Sequence, residues 1–309
     1  MVTLARRRHA GLVMVGLAIA LATQQLPAEQ LPAEQAPAWR WPVADPDLSA
    51  TFGTHMGGFV HRGVQLDGSE PSVHPVFAGV VVASVSQQSG RASGLGSYVV
   101  VDHDHSFRSV YAHLEPDGLP AVGDSVGPET RIGTIGSSGQ IDRRSLRLYM
   151  IDLESGEYVN PLLLLPDVRD HTPPQIAAVY AADGQTVHDL RPGHELAPGS
   201  YEILAHITDR STPSARAPRF APYTVRFVVA GQQSFAVTKD RMTTDEGRLR
   251  LEPDGVTVGS LYDSQGLYRL GSIEVGPSPI ELTVIARDIA GNETLFAATV
   301  FGITDGEAE

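Results

Sequence analysis

The sequence predicts an all-β protein of two consecutive domains, and three observations carry that prediction. Apolar runs of strand length are cut repeatedly by glycine, as in VFAGVVVASV at 76–85 and SYVVVDH at 97–103. Helical periodicity is almost absent from Thr51 onward. After Pro173 and Pro174 a second series of short strands begins, with its own apolar faces and Gly/Asp/Asn turns.

Before the first strands come two segments of different character. Arg6, Arg7, Arg8 and His9 precede the apolar run AGLVMVGLAIALA at 10–22, which ends in small residues at Ala20 and Ala22. A bilayer core needs about 20 apolar residues, so 1–22 reads as a cleavable export signal, with an uncleaved anchor as the alternative. The expected location is the periplasm or extracellular space, with no stable membrane anchor after cleavage. QLPAEQLPAEQAPA at 25–38 is a short tandem repeat that cannot bury a face, so 23–38 is expected to be a disordered Pro/Gln linker.

The first domain is expected over 39–170. Trp39 and Trp41 lie on one side of an extended WRWP segment, either packed on the domain or exposed as a wall-binding platform. FRSVYAHL at 107–114 follows the turn DHDHS at 102–106 as another strand. The turn-rich stretch 119–139 offers Val126, Ile132 and Ile135 as inward anchors. In SLRLYMIDL at 145–153, Leu146, Leu148 and Met150 form one face and Ser145, Arg147 and Tyr149 the other, because a strand alternates with period two. The second domain is expected over 174–305, with strands including 200–210, 223–237, 248–253, 268–275 and 279–303, and an irregular loop at 212–222.

Composition excludes several classes of function. No cysteine is present, which removes disulfides, thiolate metal sites, cysteine nucleophiles and acylated-cysteine anchors. Net charge is -13, and Lys239 is the single lysine, so no basic stripe exists for nucleic acid.

Taken together, FGTHMGGFVHRGVQLDG at 52–68, VHPVFAGVVVASV at 73–85, GSYVVVDHDHSFRSVYAHL at 96–114, GDSVGPETRIGTIGSSG at 123–139 and SLRLYMIDLESGEYVNPLLLLP at 145–166 resemble the LytM-like domain of the M23 zinc metallopeptidases, the lysostaphin-like peptidoglycan endopeptidases. The resemblance implies a LytM-like (duplicated hybrid motif) antiparallel β-sheet domain. ARDIAGNET at 286–294 resembles bacterial immunoglobulin-like domains and implies a β-sandwich over 174–305.

In the M23 family, zinc is held by a His-x-Gly-x-Asp pattern and by the second histidine of a later His-x-His pair. The first histidine of that pair and the one in Tyr-x-His-Leu lie beside the water or oxyanion. Here His61 matches the first ligand, Gln65 stands in the aspartate position, His113 matches the strand histidine, and the His-x-His pair falls on Ser145 and Arg147. An amide lends zinc no charge, and a guanidinium has no acceptor and stays positive.

The expectation is therefore a degenerate domain with no catalytic residues and no metal cofactor, in which His113 and Ser145 are remnants of the cleft. His61, Gln65, His113, Ser145 and Arg147 are candidates for a binding groove. Arg147 could fork onto a peptide carboxylate, or the five residues could satisfy one another, with His113 as a core histidine. The expected partner is peptidoglycan peptide or another envelope protein. The alternative is an active zinc endopeptidase with unconventional ligands, for which Asp67, His74, His103 and His105 are the nearby groups. His103 and His105 are expected at a hairpin tip, and His171, His188, His194 and His206 are scattered.

Overall fold

The computed structural model describes residues 39–303 apart from 58, 91–92, 168, 213 and 215–216; the expected signal 1–22 and linker 23–38 lie outside the described residues. It is all-β apart from short 3-10 turns and one four-residue helix, Val258–Leu261. No helix among the described residues is long and apolar enough to cross a membrane.

Strands Gly79–Val85, Ser97–His103, Phe107–Leu114 and Leu146–Asp152 lie side by side as antiparallel neighbours. The period-two alternation of 145–153 is realised as expected. Leu146, Leu148 and Met150 are buried in a core with Val99, Val101 and Tyr111, joined by the expected anchors Val126, Ile132 and Ile135. Arg147 and Tyr149 face the other way and are only partly covered. Val64–Asp67 pairs with one edge of Leu146–Asp152, setting Gln65 opposite Arg147, while Phe107–Leu114 on the other edge sets Ala112 opposite Arg147.

Both tryptophans pack on this domain. The Trp39 ring lies 5.1 Å from Phe77 and 5.6 Å from Phe107, and the Trp41 indole N–H donates to the Pro166 carbonyl at 3.1 Å. His103 ends Ser97–His103 beside the turn that leads into Phe107–Leu114, at the hairpin tip as expected. It is buried there beneath Trp39, with Nδ1 3.0 Å from the Ala78 carbonyl and Nε2 2.6 Å from Ser109 Oγ.

The second half forms two sheets. One contains Gln175–Ala182, Gly199–Thr208 and Tyr268–Val275; the other contains Thr224–Val229, Ile280–Arg287 and Glu293–Gly302. Val179, Ile203 and Leu270 from the first meet Phe227, Val284 and Val300 from the second in one core, which makes a sandwich.

The segment 248–253, expected among the sandwich strands, goes elsewhere. Arg241–Asp245 pairs with Tyr158–Val159, and Arg248–Glu252 follows it, so this hairpin extends the first domain's sheet across the expected boundary near 170. The cause is the exposed edge of Tyr158–Val159, whose backbone groups need partners. Arg241 Nη1 anchors the crossing through Asp152 at 2.8 Å and Glu157 at 3.2 Å. Met242 and Leu251 share a core with Phe52 and Val60 from the first half, and Phe220 from the expected loop is buried in the first domain's core.

Candidate functional site

Three strands make the floor of a cleft, and each polar side chain there has a local reason for its direction. His61 lies just before Val64–Asp67, with its Nδ1 2.8 Å from the Gly63 carbonyl. A carbonyl only accepts, and its 2.8 Å contact outweighs the 3.3 Å approach of the Gly63 N–H to the same atom, so Nδ1 carries the proton and the neutral ring leaves a lone pair on Nε2. Gly63 is required by close approach: a Cβ there would stand 2.1 Å from the Leu148 carbonyl oxygen.

His113 is aimed by a bulge. The pairing of Ser97–His103 with Phe107–Leu114 slips between Ser97 and Tyr98, leaving His113 unpaired at φ +67°, in the left-handed region. Such a bulge re-aims a side chain, at a cost of about 1–3 kcal/mol for the strained backbone. His113 Nδ1 is 2.8 Å from the Ser138 carbonyl, which again leaves Nε2 unprotonated in the neutral ring.

Arg147 sits among these groups. Its Nη2 donates to Gln65 Oε1 at 3.2 Å, while its Nε is buried without a hydrogen-bond partner. His61 Nε2, His113 Nε2 and Ser145 Oγ are likewise buried and unpartnered. Burial, reinforced by the Arg147 charge, lowers the His61 pKa to about 4. Burial is also the main cause lowering the His113 pKa, with Arg147 adding to it. Both imidazoles are thus neutral near pH 7 beside a permanent cation.

The structure brings His61, Gln65, His113 and Arg147 together, with Ser145 buried on the same strand two residues before Arg147, and the five do not fully satisfy one another. Only the Arg147–Gln65 pair is hydrogen bonded within the group. Asp67 is turned to its neighbour, accepting from the Gly68 N–H at 2.9 Å, and His103 is held in its own network.

Sequence reasoning missed the wall of the site. Residues 247–249 and 257–260, from the crossing hairpin and the short helix, face His61, Arg62, Arg147 and Tyr149 across a cavity of about 710 Å³. Tyr149 stacks nearly parallel to His61 at 6.4 Å, and the Arg62 guanidinium lies 5.1 Å over the Tyr158 ring. The only available signal was the outward parity of Tyr149; nothing in the sequence connects Arg248 to Arg147.

A second polar group was also missed. Asp170, Asp209 and Asp288 bring carboxylate oxygens within 4.8 Å of one another from three distant segments. Burial raises the Asp209 pKa to about 7, helped by the two neighbouring carboxylates, so a retained proton relieves the repulsion. No histidine joins a three-residue cluster of metal-ligating groups among the described residues.

The geometry defines the class first: an antiparallel β domain whose sheet carries a cavity lined by His61 and Arg147, with His113 buried close by. The comparisons then give the family of that domain, because residues 59–161 match the model of Peptidase family M23. This stretch is an M23-type domain. A further family model, without a descriptive name, matches residues 173–300. No curated protein matches the chain.

Three solved structures are similar. A chain of the SpoIIQ-SpoIIIAH pore forming complex is 19% identical, covering 42% of this chain and 91% of that one, with a TM-score of 0.35. The catalytic domain of the antimicrobial peptidase lysostaphin from Staphylococcus simulans is 21% identical, covering 38% and 90%, with a TM-score of 0.33. The catalytic domain of the prophage-encoded M23 protein EnpA from Enterococcus faecalis is 21% identical, covering 38% and 88%, with a TM-score of 0.32.

Proposed function

We propose that this chain is an exported, catalytically degenerate M23-like protein of the cell envelope, which binds peptidoglycan peptide or docks on another envelope protein. The observation that carries the reading is Arg147, standing in a ligand position and hydrogen bonded to Gln65 in another. The groups present do not fit catalytic zinc. Two imidazoles could donate, but the remaining positions hold a neutral amide, a hydroxyl and a guanidinium, so the set supplies no negative charge and opposes the metal with a cation.

One observation favours the rival, an active zinc endopeptidase with unconventional ligands. His61 Nε2 and His113 Nε2 are both buried and unpartnered. A zinc assay separates the two readings. The purified protein, exposed to zinc and passed through gel filtration, is expected to retain no stoichiometric metal, and its melting temperature should not move with zinc or chelator. Zinc retained one-to-one, or chelator-sensitive digestion of wall material, would establish the rival.

Export rests on the basic head and apolar run at 6–22. Amino-terminal sequencing of the protein from the envelope fraction should begin close after Ala22; a chain beginning at Met1 would remove this part of the reading.

A further inference from the structure

We propose that the cavity over Arg147 captures the free carboxylate end of a peptide, with Arg147 forking onto the carboxylate from the floor and Arg62 and Arg248 adding positive charge at the rim. This rests on the reading of the cleft as a binding site and names the ligand class it takes.

The charge distribution is the first support. The chain carries a net charge of -13, yet three arginines line this cavity and no Asp or Glu does. None of the three forms a salt bridge among the described residues, although Asp and Glu number 36 in the chain against 23 Lys and Arg. Unpaired arginines around a concavity focus a positive field onto it.

Hydrogen-bonding capacity is the second, and it selects within the anions. Arg147 Nε is a buried donor without an acceptor, and Nη2 gives one N–H to Gln65 and keeps a second, so the Nε and Nη2 edge can still meet a carboxylate with two parallel bonds. His61 makes the opposite demand. It is 2% exposed, lines the cavity, and presents an unpartnered Nε2 lone pair that must receive a hydrogen bond.

A ligand that suits both groups carries a carboxylate and an N–H close beside it. The last residue of a peptide has that pair: its terminal carboxylate and its own amide N–H. Acetate has no donor for the His61 lone pair, and phosphate, whose hydroxyl could donate, has no apolar part to cover the aromatic side of the cavity. An internal peptide bond lacks the charge, and a free amino acid would bring an ammonium against three arginines. Phe59, Tyr149 and Val258 supply apolar surface for the terminal side chain. The cavity of about 710 Å³ is within the range for small ligands, roughly 300–1,000 Å³.

Calorimetric titration of the full-length mature protein tests this, using N-acetyl-Ala-Ala-Ala and N-acetyl-Ala-Ala-Leu, each as the free acid and as the carboxamide. The acids are expected to bind at one site and the carboxamides at least about tenfold more weakly, the loss of one charge-assisted pair. Arg147→Lys, which keeps the charge and loses the fork, should weaken the acid about tenfold. The exposed Arg248→Ala should weaken it less, without changing the fold. Equal binding of acid and amide, no binding of either acid at millimolar concentration, or equal competition by phosphate would overturn the assignment. Those results without wall digestion leave the degenerate reading standing; chelator-sensitive digestion removes that reading itself.

Discussion

Changing Gln65 to Asp, Ser145 to His and Arg147 to His together is expected to give stoichiometric zinc binding to a protein proposed to retain none. Two parts of the site already stand ready. His61 and His113 have their Nδ1 atoms 2.8 Å from the carbonyls of Gly63 and Ser138, which fixes both rings and leaves His61 Nε2 for a metal and His113 Nε2 for the water or oxyanion beside it. Residues 65 and 147 are direct partners across antiparallel strands, so side chains placed there share one face and one row.

The single change Arg147→His should help most, because it removes the opposing cation and adds a ligand. Gln65→Asp alone should do little, since Arg147 would pair with the new carboxylate across the 3.2 Å contact that it now makes with Gln65. In zinc at about 1,000 times the dissociation constant, the triple variant should gain about 4 kcal/mol in stability by linkage. Hydrolysis should lag behind binding, because turnover also needs the substrate held to within about half an ångström by the surrounding walls. Calorimetric zinc titration of the single, double and triple variants checks this. A triple variant with a native-like melt and no zinc would show that these positions do not correspond to the family's ligands.

The second large effect expected is a gain in stability from Lys239→Met. Lys239 is fully buried, its Nζ has no hydrogen-bond partner, and it lies 5.2 Å over the Tyr268 ring. Burial pulls its pKa from 10.5 to about 7, with Asp209 and Asp254 only partly opposing the shift. That displacement corresponds to roughly 4–5 kcal/mol lost whenever the amine is charged in both states. Methionine keeps the apolar stem and removes the charge, so a net gain of about 2–3 kcal/mol is expected near pH 7.

The pH dependence supplies a separate check. Between about 7 and 10.5 the unfolded chain holds a proton on Lys239 that the native chain does not, so wild-type stability rises with pH across that window. The Met variant should lose this slope, and its advantage should vanish toward pH 10.5. Asp209 has the opposite sign: its native pKa is raised to about 7, so the stability it gives is present at acid pH and is lost as pH rises from 3.8 through 7. Urea titrations from about pH 4 to 10 read both. A Met variant less stable than wild type at pH 7 would mean that the ammonium is compensated within the fold.

What could be read from the sequence was what local geometry transmits. Period-two alternation put Leu146, Leu148 and Met150 on one face and Ser145, Arg147 and Tyr149 on the other, because successive strand residues must point to opposite faces. The M23 resemblance aligned His61, Gln65, His113, Ser145 and Arg147; in the folded chain His61 and Arg147 line one cavity, with Gln65 hydrogen bonded to Arg147 behind it. A strand's pattern says which way its side chains face but not which edge it joins. The hairpin over 241–252 was therefore read as part of the sandwich, whereas in the fold it completes the edge at Tyr158–Val159. From that pairing follow the cavity wall at 247–249, the approach of Arg248 to the cleft, and the core that Met242 shares with Phe52. The three carboxylates at 170, 209 and 288, and the burial of Lys239, have the same origin. They join segments far apart in the chain, and side chains so separated come together only when long-range strand pairing closes the loops between them.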